Sequence, residues 1–270
     1  MAASKHFIET DLGLICVHTR GQGNGKPIVF LHGIYLDSSL WDDVALDLPG
    51  RRLLMIDMPG HGESPEPECN WSLNDCVAML LRVLDAMRIS KCVVVGHSWG
   101  AMTALRAACL NPERFDSLCL LNMPFRKTTG LRRFGFQFQR LLAAFQPFYA
   151  RQAAKALYTP SFMTKRPETA ERMEKNVGSK SWGGIARLID AVILQPGDAL
   201  HLIEKLKVPA VFVVGEQDWV GSPSVQSVVV PGGHISPHEA PTEVAQAIFL
   251  ALNVSRSSGA PKVSALTNRA

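Results

Sequence analysis

The sequence has no long apolar run and no strong excess of charge. None of its apolar stretches approaches the roughly 18 to 20 residues that a membrane-spanning helix needs, so a transmembrane protein is excluded. The formal net charge is only +4, which is too small to mark a nucleic-acid-binding protein. The first residues lack the apolar stretch of a secretory signal, and we therefore expect a cytoplasmic protein. With 47% hydrophobic and 19% charged residues, the chain is expected to fold around a substantial core.

Metal-binding and redox cysteine motifs are also missing. The six cysteines are scattered, and no two have the CxxC spacing of zinc or redox sites. Several lie in apolar runs, where a reduced thiol behaves as a small hydrophobe. A disulfide between Cys69 and Cys76 is conceivable across a turn, but free thiols fit the pattern better. The histidines show no ligand spacing either, so we expect neither a metal nor a cofactor.

Short apolar runs alternate with helical patterns in the first half of the chain. This alternation predicts an α/β fold, a mostly parallel twisted sheet flanked by helices. The predicted strands of this half cover residues 14–19, 28–31, 53–56, 92–95 and 118–121. The alternation stops near residue 123 and resumes with strands at 208–214 and 225–230. We therefore expect core sheet over residues 1–122 and 196–254, a helical insertion over 123–195, and a disordered tail over 255–270.

A nucleophile motif follows the predicted strand at 92–95. Gly96-His97-Ser98-Trp99-Gly100 fits the G-x-S-x-G pattern and comes directly before a predicted helix at 101–110. Glycines two residues either side of the serine relieve the crowding of a sharp strand-to-helix turn. Such a turn exposes Ser98 Oγ at the carboxyl edge of the sheet, above a helix N-terminus that favours negative charge. The motif therefore predicts a nucleophilic serine.

A serine at neutral pH needs a base, and the base needs an acid that orients it. Asp218 follows the predicted strand at 208–214, and His234 follows the next predicted strand. The order Ser, Asp, His is the one expected after this motif. Ile34 follows the strand at 28–31, so its N–H and that of Trp99 are the predicted oxyanion donors.

Together these motifs resemble the α/β-hydrolase superfamily, in the branch of lidded serine hydrolases similar to carboxylesterases and lactonases. The similar segments are residues 32–33, 57–64, 96–100, 215–218 and 233–241. The tryptophan of the serine motif is loosely similar to the proline iminopeptidase-like group. The resemblance implies the roles given above for Ser98, Asp218, His234, Ile34 and Trp99. It also implies that residues 57–64 are structural and that the insertion at 123–195 is a cap over the nucleophile.

One departure from the resemblance concerns the acid. His234 follows Asp218 by only 16 positions, where relatives usually have a helix. A parallel crossover normally takes about a dozen residues or more, so this link must be tight. Glu216 remains the alternative acid, whereas Asn122, which follows the strand at 118–121, cannot serve as one.

The predicted cap is basic. Residues 123–195 contain thirteen Lys and Arg but only four Asp and Glu. The basic residues at its start, interleaved with phenylalanines, are Arg126, Lys127, Arg132, Arg133 and Arg140. We favour an ordinary solvated helix face for them. The alternative hypothesis is a positively charged mouth that steers an anionic substrate.

The sequence therefore predicts a cofactor-free serine hydrolase that cleaves an ester, lactone or related acyl bond of a small molecule. The same residues would also suit a carbon–carbon bond hydrolase, an aminopeptidase, or a lyase that acts on an anionic substrate. A small-molecule receptor with weak hydrolysis is the alternative from another class. We expect no nucleic-acid partner and no stable membrane insertion.

Overall fold

The computed structural model describes residues 3–142, 146–220 and 225–254. Within them, eight strands form one sheet in the order β1-β2-β4-β3-β5-β6-β7-β8. The strands are β1 (Ala3–Thr10), β2 (Gly13–Arg20), β3 (Ile28–Leu31), β4 (Leu53–Ile56), β5 (Cys92–His97), β6 (Phe115–Leu121), β7 (Ala210–Gly215) and β8 (Val228–Val230). β2 runs antiparallel to β1 and β4, and the remaining neighbours are parallel. The predicted α/β fold with a mostly parallel sheet is confirmed.

Some of the described helices pack against this sheet, and others lie in the segment between β6 and β7. The helices are α1 (Asp42–Leu46), α2 (Leu73–Ala86), α3 (Trp99–Leu110), α4 (Gly130–Leu142), α5 (Gln146–Leu157), α6 (Pro160–Lys165), α7 (Pro167–Gly178), α8 (Trp182–Ile189), α9 (Leu200–Lys205), α10 (Ser236–Glu239) and α11 (Pro241–Val254). α3 packs on β5, β6 and α2, while α11 packs on β6, β7 and α1. β3, β4 and β5 are buried along their whole length, as strands covered on both faces must be.

Strand β1 is an element that the apolar pattern did not predict. Its residues from Ser4 onward are exposed or half-buried, and they pair with β2 up to the contact between Thr10 and Gly13. A hairpin at the edge of a sheet can face solvent on both sides, so no apolar alternation marks it in the sequence. Pairing with β2, and not a hydrophobic face, defines this strand.

The chain between β6 and β7 is helical in its described part. It contains helices α4 to α9 and a π-helical turn at Asp190–Leu194, and no strand is described between Met123 and Gln195. The expected tail at 255–270 lies outside the described residues. Nowhere in the described ranges is a helix both long and apolar enough to cross a membrane.

Candidate active site

Ser98 lies in a strained turn between β5 and α3. Its backbone has φ 51° and ψ −109°, a conformation that side-chain-bearing residues rarely adopt. A Cβ on Gly96 would lie 2.6 Å from the amide nitrogen of Ala101, and one on Gly100 would lie 2.1 Å from the carbonyl oxygen of Leu31. Both positions therefore require glycine. Backbone atoms lie too close to positions 96 and 100 for any side chain, and this close packing fixes the turn.

The structure brings together the three predicted side chains Ser98, His234 and Asp218. His234 Nε2 lies 3.0 Å from Ser98 Oγ, and His234 Nδ1 lies 3.0 Å from Asp218 Oδ1. The side chain of His234 is 4% exposed and that of Asp218 is fully buried. A carboxylate can only accept from Nδ1–H, so Nε2 is left to accept the serine proton.

Asp218 can reach His234 across the short link because two loops run side by side. Beyond β7, the Glu216 N–H donates to Val230 O and the Gln217 N–H donates to Gly232 O, each at 2.9 Å. These bonds extend the parallel pairing of β7 and β8 past the ends of the strands. Glu216, the alternative acid, is exposed, whereas Asp218 contacts the histidine.

Asn122 is a site residue whose contact the sequence reasoning missed. It follows β6 with φ 52°, and its Nδ2–H donates to Asp218 Oδ2 at 2.8 Å. The Ser236 hydroxyl donates to Asn122 Oδ1, which fixes the orientation of the amide. Asn122 therefore cannot act as the acid, as predicted, but it holds the second oxygen of the acid that is there. Its place at the carboxyl end of β6, next to β7, was the available signal.

The predicted oxyanion donors are the backbone N–H groups of Ile34 and Trp99. Ile34 lines the same cavity as Ser98 and His234. The Trp99 N–H is the first amide of α3, and the first amides of a helix have no acceptor within it. The Trp99 indole is buried and stacks on Trp71 at 5.2 Å between ring centroids, so only its backbone is available to the site.

His97 holds the backbone of His234 in place. Its Nε2–H donates to the carbonyl oxygen of His234 at 2.7 Å, and its side chain is buried. Its Nδ1 has no hydrogen-bond partner within the described residues, and a Cβ on Gly33 would lie 2.6 Å from it. Burial lowers the pKa of His97 to about 3, because a proton on Nδ1 would be a buried charge without an acceptor.

This burial predicts a loss of stability in acid. Unfolded histidine titrates near pH 6.5, so below that pH the unfolded state binds a proton that folded His97 does not bind. The free energy of unfolding should therefore fall by about 1.4 kcal/mol per pH unit from this residue alone, from pH 6.5 down towards 3. Urea unfolding at a series of pH values measures the slope. His97→Gln should make it shallower by that amount, and a slope equal to that of the wild-type protein would contradict the prediction.

A cavity of about 740 Å³ opens above Ser98. Ser98, His234 and Ile34 lie on its wall, and α4 and α5 contribute much of the rest. The apolar side chains of this wall include Met102, Phe125, Phe136, Leu157, Val192 and Ile193. The cavity is large enough for a small-molecule substrate and is mainly apolar near its helices.

One group of side chains away from Ser98 could hold a metal ion. Within the described residues, Cys16, His18 and Asp57 place one ligand atom each within 4.8 Å of one another.

Asp57 also accepts backbone N–H bonds from Ser38 and Glu63, at 2.8 and 2.9 Å. These bonds hold the loop that the resemblance predicts to be structural.

The comparison with known proteins decides the family. Residues 26–240 match the family described as the alpha/beta hydrolase fold. The chain belongs to this alpha/beta hydrolase family. Solved structures with the same fold include an enol-lactonase from Burkholderia xenovorans (TM-score 0.84, 19% identity, 92% of this chain and 100% of that one). A thermophilic esterase from Thermogutta terrifontis gives a TM-score of 0.81 at 24% identity over 94% of this chain and 100% of that one.

Curated relatives of this alpha/beta hydrolase have several activities. A 2-(acetamidomethylene)succinate hydrolase of Mesorhizobium japonicum is 30% identical over 133 residues, 48% of each chain. An epoxide hydrolase of Caballeronia sordidicola is 36% identical over 115 residues, 41% of this chain and 35% of that one. The 3-oxoadipate enol-lactonase 2 of Acinetobacter baylyi is 24% identical over 201 residues, 74% of each chain. The chain thus matches about half of the first relative and about a third of the second.

Proposed function

We propose that this protein is a serine hydrolase that cleaves an ester, lactone or related acyl bond of a small molecule. The observation that supports the proposal most strongly is the 3.0 Å contact between His234 Nε2 and Ser98 Oγ at the wall of a large cavity. A base within hydrogen-bond reach of a serine, itself oriented by a carboxylate, is the arrangement that activates a nucleophile. Family relatives that are hydrolases and lactonases agree with this reaction class.

In the first half of the reaction, Ser98 Oγ attacks the carbonyl carbon while His234 Nε2 takes its proton. The Ile34 and Trp99 N–H groups stabilise the oxyanion of the tetrahedral intermediate. When this intermediate collapses, His234 returns the proton to the leaving oxygen and the acyl group stays on Ser98. Asp218 faces the imidazolium throughout, and its charge favours the protonated histidine.

In the second half, water releases the acyl group. His234 takes a proton from a water molecule, whose oxygen attacks the acyl carbon of the ester on Ser98. The second intermediate collapses to a carboxylic acid, and His234 protonates Ser98 Oγ again. Each proton that leaves Ser98 or water in this cycle passes through His234 Nε2.

The helical insertion at 123–195 is, on this proposal, a cap that selects the substrate. Helices α4 and α5 contribute Phe136 and Ala153, among other residues, to the cavity wall. The core sheet over 1–122 and 196–254 holds Ser98, Asp218 and His234. The choice of substrate would therefore depend on the insertion at 123–195, and the reaction on the core sheet.

A fluorophosphonate probe tests the nucleophile. Intact mass spectrometry of the wild-type protein should show a single adduct, and peptide mapping should place it on Ser98. The same protein should hydrolyse p-nitrophenyl acetate and p-nitrophenyl butyrate, because both esters are small enough for a cavity of about 740 Å³.

The outcomes of this experiment separate the alternatives. An adduct on Ser98 together with ester turnover supports the proposal. An adduct without turnover of any ester contradicts the esterase assignment and favours a lyase, a peptidase or a receptor on the same scaffold. No adduct on Ser98 would overturn the nucleophile itself.

A further inference from the structure

The structure divides the five basic residues at the start of the insertion into two sets. Arg133 donates to the Leu194 carbonyl oxygen at 2.7 Å, and Arg140 pairs with Asp190 at 2.8 Å. These two cations are occupied by contacts within the insertion. The others, Arg126, Lys127 and Arg132, line the cavity above Ser98. The basic pattern is therefore more than a solvated helix face.

The three cations line a cavity that has no carboxylate in the described part of its wall. No Asp or Glu is among the described residues that line it, and the residues outside the described ranges include no Asp or Glu in the sequence. Within the described part of the chain, none of the three forms an ion pair. All three residues are exposed and line the cavity, so their positive charges are accessible to an anion that enters it.

Arg132 contacts Trp219, in the loop that carries Asp218. Its guanidinium carbon lies 5.1 Å from the ring centroid of Trp219, the residue after Asp218. The Trp219 indole N–H donates to the Ala156 carbonyl oxygen at 2.7 Å, which fixes the ring against α5. A cation stacked on an anchored aromatic ring loses less side-chain freedom when it binds an anion. Its planar fork of N–H groups matches a carboxylate.

We propose that Arg126, Lys127 and Arg132 form an anion subsite for a carboxylate at the end of the substrate remote from the scissile bond. This inference rests on the proposed function, which places the acyl carbon at Ser98. The same cavity is lined by apolar side chains, among them Phe125, Phe136 and Leu157, which suit the hydrocarbon chain of such a substrate. The substrate is then an ester or lactone of an organic acid that has a second, free carboxylate.

Matched pairs of esters test the subsite. Monomethyl adipate and methyl hexanoate have the same chain, as do monomethyl suberate and methyl octanoate, but only the first of each pair has a carboxylate. The variant Arg126→Gln/Arg132→Gln should lower kcat/KM for the anionic esters about tenfold and change the neutral ones less than twofold. The control Arg151→Gln/Lys155→Gln removes two exposed charges from α5, outside the cavity lining, and should change neither.

Calorimetric binding separates the subsite from the proposed reaction. Monomethyl adipate is titrated into Ser98→Ala and into Ser98→Ala with the two arginine substitutions. About tenfold weaker binding in the second protein supports the subsite even if neither ester is turned over, an outcome that would contradict only the proposed function. Equal binding in the two proteins, or equal loss for anionic and neutral esters, overturns the subsite whatever the turnover. Arg132→Lys keeps the charge but lacks the planar fork of N–H groups, so it should retain only part of the anion preference.

Discussion

Replacing Ser98 with alanine is expected to lower kcat for p-nitrophenyl butyrate by about 10⁴- to 10⁶-fold. In the proposed mechanism the nucleophile is Ser98 Oγ, which His234 Nε2 contacts at 3.0 Å, and alanine has no atom to replace it. Residual turnover would come from substrate binding and the backbone N–H donors alone. Steady-state kinetics with purified protein measure the loss.

The same variant should fold normally. The strained φ of 51° at position 98 is imposed by the close packing of Gly96 and Gly100, and alanine accepts it no worse than serine. We expect the free energy of unfolding in urea to change by less than about 1 kcal/mol. Ser90→Ala is the matched control, because Ser90 is exposed and precedes β5 at the opposite edge of the sheet. Wild-type rates in Ser98→Ala would overturn the proposed mechanism.

The second large effect concerns the choice between Asp218 and Glu216. Asp218→Asn is expected to lower kcat by about 10³- to 10⁴-fold with little change in KM. An amide in place of the Asp218 carboxylate can donate to His234 Nδ1, which would put the histidine proton on Nε2 and leave no acceptor for the serine proton. It also removes the charge that stabilises the imidazolium.

Glu216→Gln is the matched variant for this prediction. Glu216 is two residues earlier in the same loop and is exposed, so its substitution should change kcat less than twofold. Steady-state kinetics on both variants give the comparison. A large loss in Glu216→Gln with a near-normal Asp218→Asn would show that the acid was assigned to the wrong carboxylate.

The sequence by itself predicted the alternation of most strands and helices along the chain, and it picked out Ser98, Asp218 and His234, the side chains that the structure brings together. Strands such as β5 are buried at every position, and an uninterrupted run of apolar residues in the sequence predicts such a strand. The motif around Ser98 predicts a sharp turn, because only glycine fits at positions 96 and 100 where the backbone packs so closely. Asp218 and His234 follow strand ends, and parallel strands bring their carboxyl ends to one edge.

Only the tertiary structure decided what depends on neighbours distant in the chain. β1 is a strand because it pairs with β2. Asn122 reaches Asp218, 96 positions away in the chain, because β6 and β7 are adjacent. The basic residues of the insertion have the same charge, yet Arg140 pairs with Asp190 while Arg132 lines the cavity. Charge and residue type are local properties, whereas the partner of each side chain depends on how the helices pack.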